Sequence, residues 1–166
     1  MKKLILMRHG KSSWKDNSLA DVDRPLKKRG QRNVASMAQV LLDEELIPDL
    51  ILSSPAERAS QTAEIMVKNL GIKKDSLLYV DSIYMADVED FYELLAGVDD
   101  QYDVVMLIGH NPSLEALMQS LTGDIDALPT AGVAYIRLDI NQWGEISAEE
   151  TSGNLKGLWR PKELDA

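Results

Sequence analysis

The chain contains two histidines, and each directly follows a short apolar run: His9 in Arg8-His9-Gly10 after Lys3 to Met7, and His110 in Gly109-His110-Asn111-Pro112 after Asp103 to Ile108. Uninterrupted apolar runs of that length are the pattern of strands buried on both faces. One histidine in such a place commonly satisfies a loop or core hydrogen bond. Two at equivalent strand ends project into one crevice, and the glycine beside each lets the backbone turn sharply and come close to a ligand. The pair therefore marks a site.

A third element is the stretch Leu52-Ser53-Ser54-Pro55-Ala56-Glu57-Arg58-Ala59-Ser60-Gln61-Thr62-Ala63-Glu64. Arg58 lies in the first turn of a helix, where the macrodipole disfavours a cation unless an anion meets it. A surface pair with Glu57 or Glu64 is one reading. The other joins Arg58 to Arg8: two guanidiniums, free backbone N–H groups and two imidazoles at one sheet edge make a phosphate pocket. Lys11, Ser12 and Ser13 offer further donors, but a Gly-Lys-Ser step without the upstream glycines is not a nucleotide loop.

The elements that must position these groups alternate. Leu26 to Leu46 carries Val34, Met37, Ala38, Leu41 and Leu42 at helical spacing, and Pro48 stops it. Leu50 to Leu52 reads as a second buried strand. Ser54-Pro55-Ala56-Glu57 then reads as a capping box opening a helix that runs to Leu70 and ends at Gly71. Leu77 to Val80 is a weak strand, and Val88 to Leu95 is a helix with Phe91, Leu94 and Leu95 inward. Asn111-Pro112 opens a helix with Leu114, Leu117, Met118 and Leu121 on its stripe. Val133 to Ile140 and Glu145 to Thr151 read as an antiparallel hairpin around Asn141 to Gly144. The β-α-β-α order predicts an α/β fold, a mostly parallel sheet between helical layers, as one domain over residues 1–166.

Composition narrows the chemistry. There is no cysteine, so disulfides, thiolate nucleophiles and cysteine metal sites are excluded. The net charge is −9, which disfavours nucleic acid and anionic lipid and leaves an anionic substrate dependent on a local cluster of Arg and Lys. No apolar run approaches the ~18 residues that span a bilayer. The apolar part of the N-terminal stretch is short for a secretory signal, so a cytoplasmic location is expected, with no membrane partner. Nothing marks a large exposed apolar face, and a monomer is expected.

Arg8-His9-Gly10, the Ser-Ser-Pro-x-x-Arg-Ala-x-Gln-Thr-Ala run from Ser53 to Ala63, and Gly109-His110 resemble the landmarks of the histidine phosphatase superfamily, which includes phosphoglycerate mutases and acid phosphatases. The segments Asp21 to Gly30 and Met7 to Trp14 most resemble its branch of SixA-type phosphohistidine phosphatases. The resemblance implies a phosphoglycerate mutase-like three-layer α/β/α sandwich with strand order 3-2-4-1-5-6 and strand 5 antiparallel. It also implies His9 as the nucleophile that forms a phosphohistidine, with Arg8, Arg58 and His110 around the phosphoryl oxygens and no metal or cofactor. Gly10, Ser12, Arg24 and Asn111 are candidate substrate contacts, although Arg24 could equally pair with Asp21. Asp87 and Asp21 are the candidate proton donors, with Glu89 and Asp23 as neighbours.

Departures from the mutase pattern stand at Lys11 and Lys15. With a short segment after the third strand that leaves no room for a lid, they point away from sugar-phosphate mutase activity. A phosphohistidine-bearing protein of the histidine phosphotransfer type is the expected partner. A broad-specificity phosphomonoesterase acting on small phosphate esters and a non-catalytic phosphate-binding module remain open, and a metal-dependent hydrolase is weaker because Arg58 would repel the ion. Trp14, Trp143 and Trp159 are expected in packing, and Asp99 to Asp103 as a solvated loop.

Overall fold

The computed structural model describes residues 1–161; residues 162–166 of the expected domain lie outside the described residues. Within them, one sheet of six strands is formed by β1 (Lys2–Arg8), β2 (Leu50–Ser53), β3 (Leu77–Tyr79), β4 (Val104–Gly109), β5 (Val133–Leu138) and β6 (Gly153–Trp159). Their order is β3-β2-β4-β1-β5-β6. β1 runs parallel to β4 and antiparallel to β5. The helices are α1 (Lys28–Asp43), α2 (Glu57–Leu70), α3 (Val88–Ala96) and α4 (Ser113–Thr122).

The central strands are apolar throughout because both faces are covered. Successive side chains of a strand point to opposite faces, so Leu4, Leu6, Val105 and Leu107 join Phe91, Leu95, Leu114 and Leu117 of α3 and α4. Ile5, Met7, Met106 and Ile108 join Val34, Met37, Leu41, Ala63 and Met66 of α1 and α2. Each such side chain contributes about 1.5–3 kcal/mol when removed from water. The α/β/α sandwich is thus written into the two interleaved periodicities.

Several boundaries differ from expectation. α1 starts at Lys28 rather than Leu26, because Leu26 pairs with Ser12 in an isolated antiparallel bridge and Lys27 keeps an extended backbone. Ser54 does not cap α2. Its N–H continues the ladder to the Ile108 carbonyl, its hydroxyl accepts from Ala56 N, and the cap position falls on Ala56 with no side-chain bond. The C-terminal signal is as read: Gly71 closes α2 in the left-handed conformation. α4 likewise begins one residue later, with Pro112 at its cap position.

The larger correction is the sheet edge. Glu145 to Thr151 is not a strand; β6 is the segment that follows it. Trp143 is fully buried and donates its indole N–H to the Tyr102 carbonyl at 2.7 Å, which draws this stretch into the core beside α3. The chain then returns as β6 and places Leu155 and Leu158 against one core and Trp159 against the other. The acidic run is also more than a solvated loop. The carbonyls of Asp100 and Tyr102 and the Asp103 carboxylate take the ammonium of buried Lys2.

Candidate active site

The parallel register aligns Arg8 with Gly109, so the residues that follow them, His9 and His110, leave neighbouring strands side by side. Their ring centroids lie 5.1 Å apart. Ser54, at the end of β2, joins the same row, and its hydroxyl lies 2.8 Å from His110 Nε2.

His9 is buried, and its Nδ1 is 2.7 Å from the Gly10 carbonyl. A carbonyl only accepts, so Nδ1 carries the proton and Nε2 keeps the lone pair. Burial, then the neighbouring His110, Arg58 and Arg8, push its pKa down to about 3, against the opposing pull of the Gly10 carbonyl. Desolvation is the largest of these causes. Burial and the same two arginines lower His110 to about 4, opposed by Asp21. Both rings are therefore uncharged at neutral pH. His110 Nδ1 is buried without a hydrogen-bond partner among the described residues.

Arg58 is buried and fully oriented. Its Nε donates towards His9 Nε2 at 3.4 Å, Nη1 donates to the Asp21 carbonyl at 2.7 Å and Nη2 to Asp21 Oδ2 at 3.0 Å. It pairs with neither Glu57 nor Glu64. Arg8 donates from Nη1 to the Leu128 carbonyl at 3.3 Å, and its buried Nε has no protein partner among the described residues. Arg24 is buried too; it binds Asp21 Oδ1 at 3.0 Å, the Ser13 carbonyl and the Ser12 hydroxyl. Its guanidinium lies under the indole of Trp14, 3.2 Å from the ring centroid. Trp14 is 71% exposed, so it roofs Arg24 rather than filling a core.

These groups line two adjoining hollows that share Arg58, His110 and Asn111. One, of about 360 Å³, is bordered by Arg8, Lys11, Arg24, Lys27 and Arg58, with His9 and Ser12, and by no carboxylate. In a chain of net charge −9 this is a localised anion well. The other, about 640 Å³, carries Asp21, Asp87, Tyr84 and the apolar Met85, Val88 and Ala116.

Both candidate acids border the larger hollow. Asp21 is lowered to about 2 by the Tyr84 hydroxyl first and then by Arg58 and Arg24, so it is a carboxylate that accepts on both oxygens. Asp87 accepts from Asp90 N at 2.9 Å in a reciprocal capping box at the start of α3. Glu89 and Asp23 border neither hollow. Gly10 also departs from its expected role. Its N–H goes to Thr62 Oγ1 and its carbonyl to His9, while an added Cβ would meet Val34 Cγ2 at 2.9 Å and the Gly30 carbonyl at 3.0 Å. It is a glycine of close packing. Ser12 and Asn111 do border the anion well, with Asn111 Nδ2 already committed to Glu115 and the Leu128 carbonyl.

Two participants carry no signal in the sequence pattern: Tyr84, which donates to Asp21 Oδ2 at 2.7 Å and meets His110 edge-on at 5.6 Å, and Glu115 behind Asn111; Ser54, read as a helix cap, stands beside His110 instead. Among the described residues no group of three or more His, Asp or Glu side chains could hold a metal ion, and no helix is long and apolar enough to cross a membrane.

The family model of the histidine phosphatase superfamily (branch 1) matches residues 4–78, a span that holds Arg8, His9 and Arg58 but not His110. An uncharacterized chloroplastic protein of Arabidopsis thaliana is 34% identical over 170 residues, across 96% of this chain and 78% of its own length. An uncharacterized protein of Mycobacterium tuberculosis is 30% identical over 151 residues, across 84% of this chain and 91% of its own. Among solved structures, a candidate phosphohistidine phosphatase SixA from Agrobacterium tumefaciens has a TM-score of 0.80 at 29% identity, over 96% of this chain and 98% of that one.

Proposed function

Because the chain belongs to the histidine phosphatase superfamily, we propose that it is a phosphatase that works through a covalent phosphohistidine on His9 and that its substrate is phosphohistidine borne by a protein. The observation that carries the mechanism is the tautomer of His9. A neutral ring whose unprotonated nitrogen is Nε2, at the floor of a cationic hollow, is a nucleophile placed to meet phosphorus.

In the first step Nε2 attacks phosphorus as the bond to the leaving group breaks, and the leaving atom takes up a proton from solvent. Arg8, Arg58 and His110 hold the equatorial oxygens, where the charge of a loose transition state resides. Water then attacks the phosphoryl group, loses a proton, and the P–N bond to His9 breaks to release orthophosphate and the neutral ring. No metal is assigned a step.

Two features favour a phosphoramidate on a protein. Asp21 beside the leaving-group hollow is held as a carboxylate by Tyr84, Arg58 and Arg24, and a leaving imidazole needs less acid help than an alkoxide. The connection from β3 to α3, residues 80–87, holds one 3-10 turn and leaves the hollow open to a folded partner such as a histidine phosphotransfer domain.

The test is to trap radiolabelled phosphate on the protein. Acid-labile, base-stable label on wild type and none on His9→Ala is expected; no label with either phosphoramidates or esters would leave a phosphate-binding module. Turnover of a phosphohistidine-bearing domain should exceed that of sugar phosphates at equal enzyme, and the reverse order would make the protein a small-molecule phosphomonoesterase.

A further inference from the structure

Arg8 is held from one connection, the segment between α4 and β5. Its main chain is gripped by Gly132, whose carbonyl accepts from Arg8 N at 3.1 Å, and by Ala131, whose N–H bonds the Arg8 and His9 carbonyls at 3.1 and 2.9 Å. Ala131 adopts a positive φ of 60° to do so, a conformation that a non-glycine residue keeps only when its surroundings hold it there. The Arg8 side chain is steadied by the carbonyl of Leu128.

Leu128 is held from outside this connection: Glu115, on α4, takes its N–H, and Arg160 Nε donates to the Ala127 carbonyl of the same peptide at 3.0 Å. Glu115 Oε2 accepts from Leu128 N at 3.0 Å and from Asn111 Nδ2, and that same Asn111 amide donates to the Leu128 carbonyl at 2.7 Å. The backbone N–H and C=O of Leu128, which belong to two successive peptide units, are thereby both tied to a single carboxylate, directly at the nitrogen and through Asn111 at the oxygen. Glu115 borders neither hollow, so it reaches the phosphoryl group only through others. Its charge also opposes the lowering of the Arg8 pKa that burial produces.

We propose that Glu115 is a positioning residue for Arg8: by holding the Leu128 N–H directly and the Leu128 carbonyl through the Asn111 amide, it aims the guanidinium into the anion well. The inference rests on the reading of that well as the phosphoryl site. Geometry is the agent, because an amide in place of the carboxylate accepts the same two hydrogen bonds, whereas a carboxylate one methylene shorter withdraws from them. Preorganisation of this kind is strict in phosphoryl transfer, where little but placement is available to the protein.

The experiment compares Glu115→Gln, Glu115→Asp and Glu115→Ala for turnover, and for binding of orthovanadate by calorimetry, each after its thermal midpoint is measured. Glu115→Asp and Glu115→Ala should lose kcat/KM by up to about 100-fold and bind vanadate more weakly, while Glu115→Gln recovers most of both. In an Arg8→Lys background Glu115→Asp should add little further loss, since both act on one guanidinium. An active Asp variant with an inactive Gln variant, or losses that simply add to that of Arg8→Lys, would overturn the inference. Wild type that binds vanadate but turns nothing over would instead count against the phosphatase reading, and the vanadate series would still decide the role of Glu115.

Discussion

Arg58 Nε points at His9 Nε2 across 3.4 Å, so the guanidinium rests against the unprotonated nitrogen of that ring. A cation there keeps the imidazole from taking a proton, and it stands beside the point where phosphorus must arrive. The same side chain is anchored at its far end by the carbonyl and carboxylate of Asp21. Nucleophile and phosphate ligand are thus set relative to each other before any substrate enters.

Arg58→Ala should lower kcat by about 10²–10³-fold while the protein stays folded. The variant leaves no buried charge stranded, because the Asp21 side chain that loses a partner is 51% exposed and keeps Arg24 and Tyr84. Steady-state rates alongside circular dichroism melting check this; a rate within tenfold of wild type would mean that the phosphoryl group binds elsewhere.

With two histidines in the chain, the ring resonances can be assigned by one substitution each. Their lowered values, about 3 and about 4, predict that neither titrates between pH 8 and pH 5.5 in the free protein. Nitrogen shifts of His9 should report an Nδ1–H tautomer across that range. A midpoint near the ordinary value of ~6.5 for either ring would show that the pocket is wetter than its geometry implies.

How far the site is legible in the sequence follows from the range of its contacts. His9 and His110 announce themselves because each terminates an apolar run, and Arg58 because a cation opens a helix. The local pair of Asp21 with Arg24 is legible, but what holds Arg58 and Arg8 is not: Asp21 lies 37 positions from Arg58, Tyr84 lies 63 from Asp21 and Leu128 lies 120 from Arg8. The strand order came from the resemblance and not from periodicity. β6 was misplaced because Glu145 to Thr151 and Gly153 to Trp159 both offer an apolar residue at intervals, and only the burial of Trp143 decides between them.

Asp21 should behave as an anchor for Arg58 and not as an acid. Asp21→Asn is expected to reduce kcat/KM by a similar factor for aryl and alkyl phosphate esters, since the loss acts through the guanidinium. Tyr84→Phe should raise the Asp21 pKa from about 2 towards the ordinary carboxylate value, because the Tyr84 hydroxyl is the strongest influence lowering it, and should leave the ranking of leaving groups unchanged. A loss that grows with the pKa of the leaving group in Asp21→Asn would restore Asp21 as the proton donor.

Stability should fall on acidification, and the sign follows from three groups. His9 and His110 are depressed in the folded state, so between their unfolded value of ~6.5 and about 4 the unfolded chain binds more protons, and stability rises with pH there. Asp21 is depressed as well; its contribution is present above ~3.9 and is lost as pH falls towards 2. Their effects therefore follow one another in the same direction, first from the imidazoles and then from the carboxylate. Thermal midpoints measured from pH 7.5 to pH 4 should decline most steeply below pH 6.5, and His9→Asn should flatten that decline by removing a group that the unfolded chain protonates and the folded one does not. An unchanged slope in His9→Asn would mean that the ring is free to charge in the folded protein, and the neutral nucleophile would go with it.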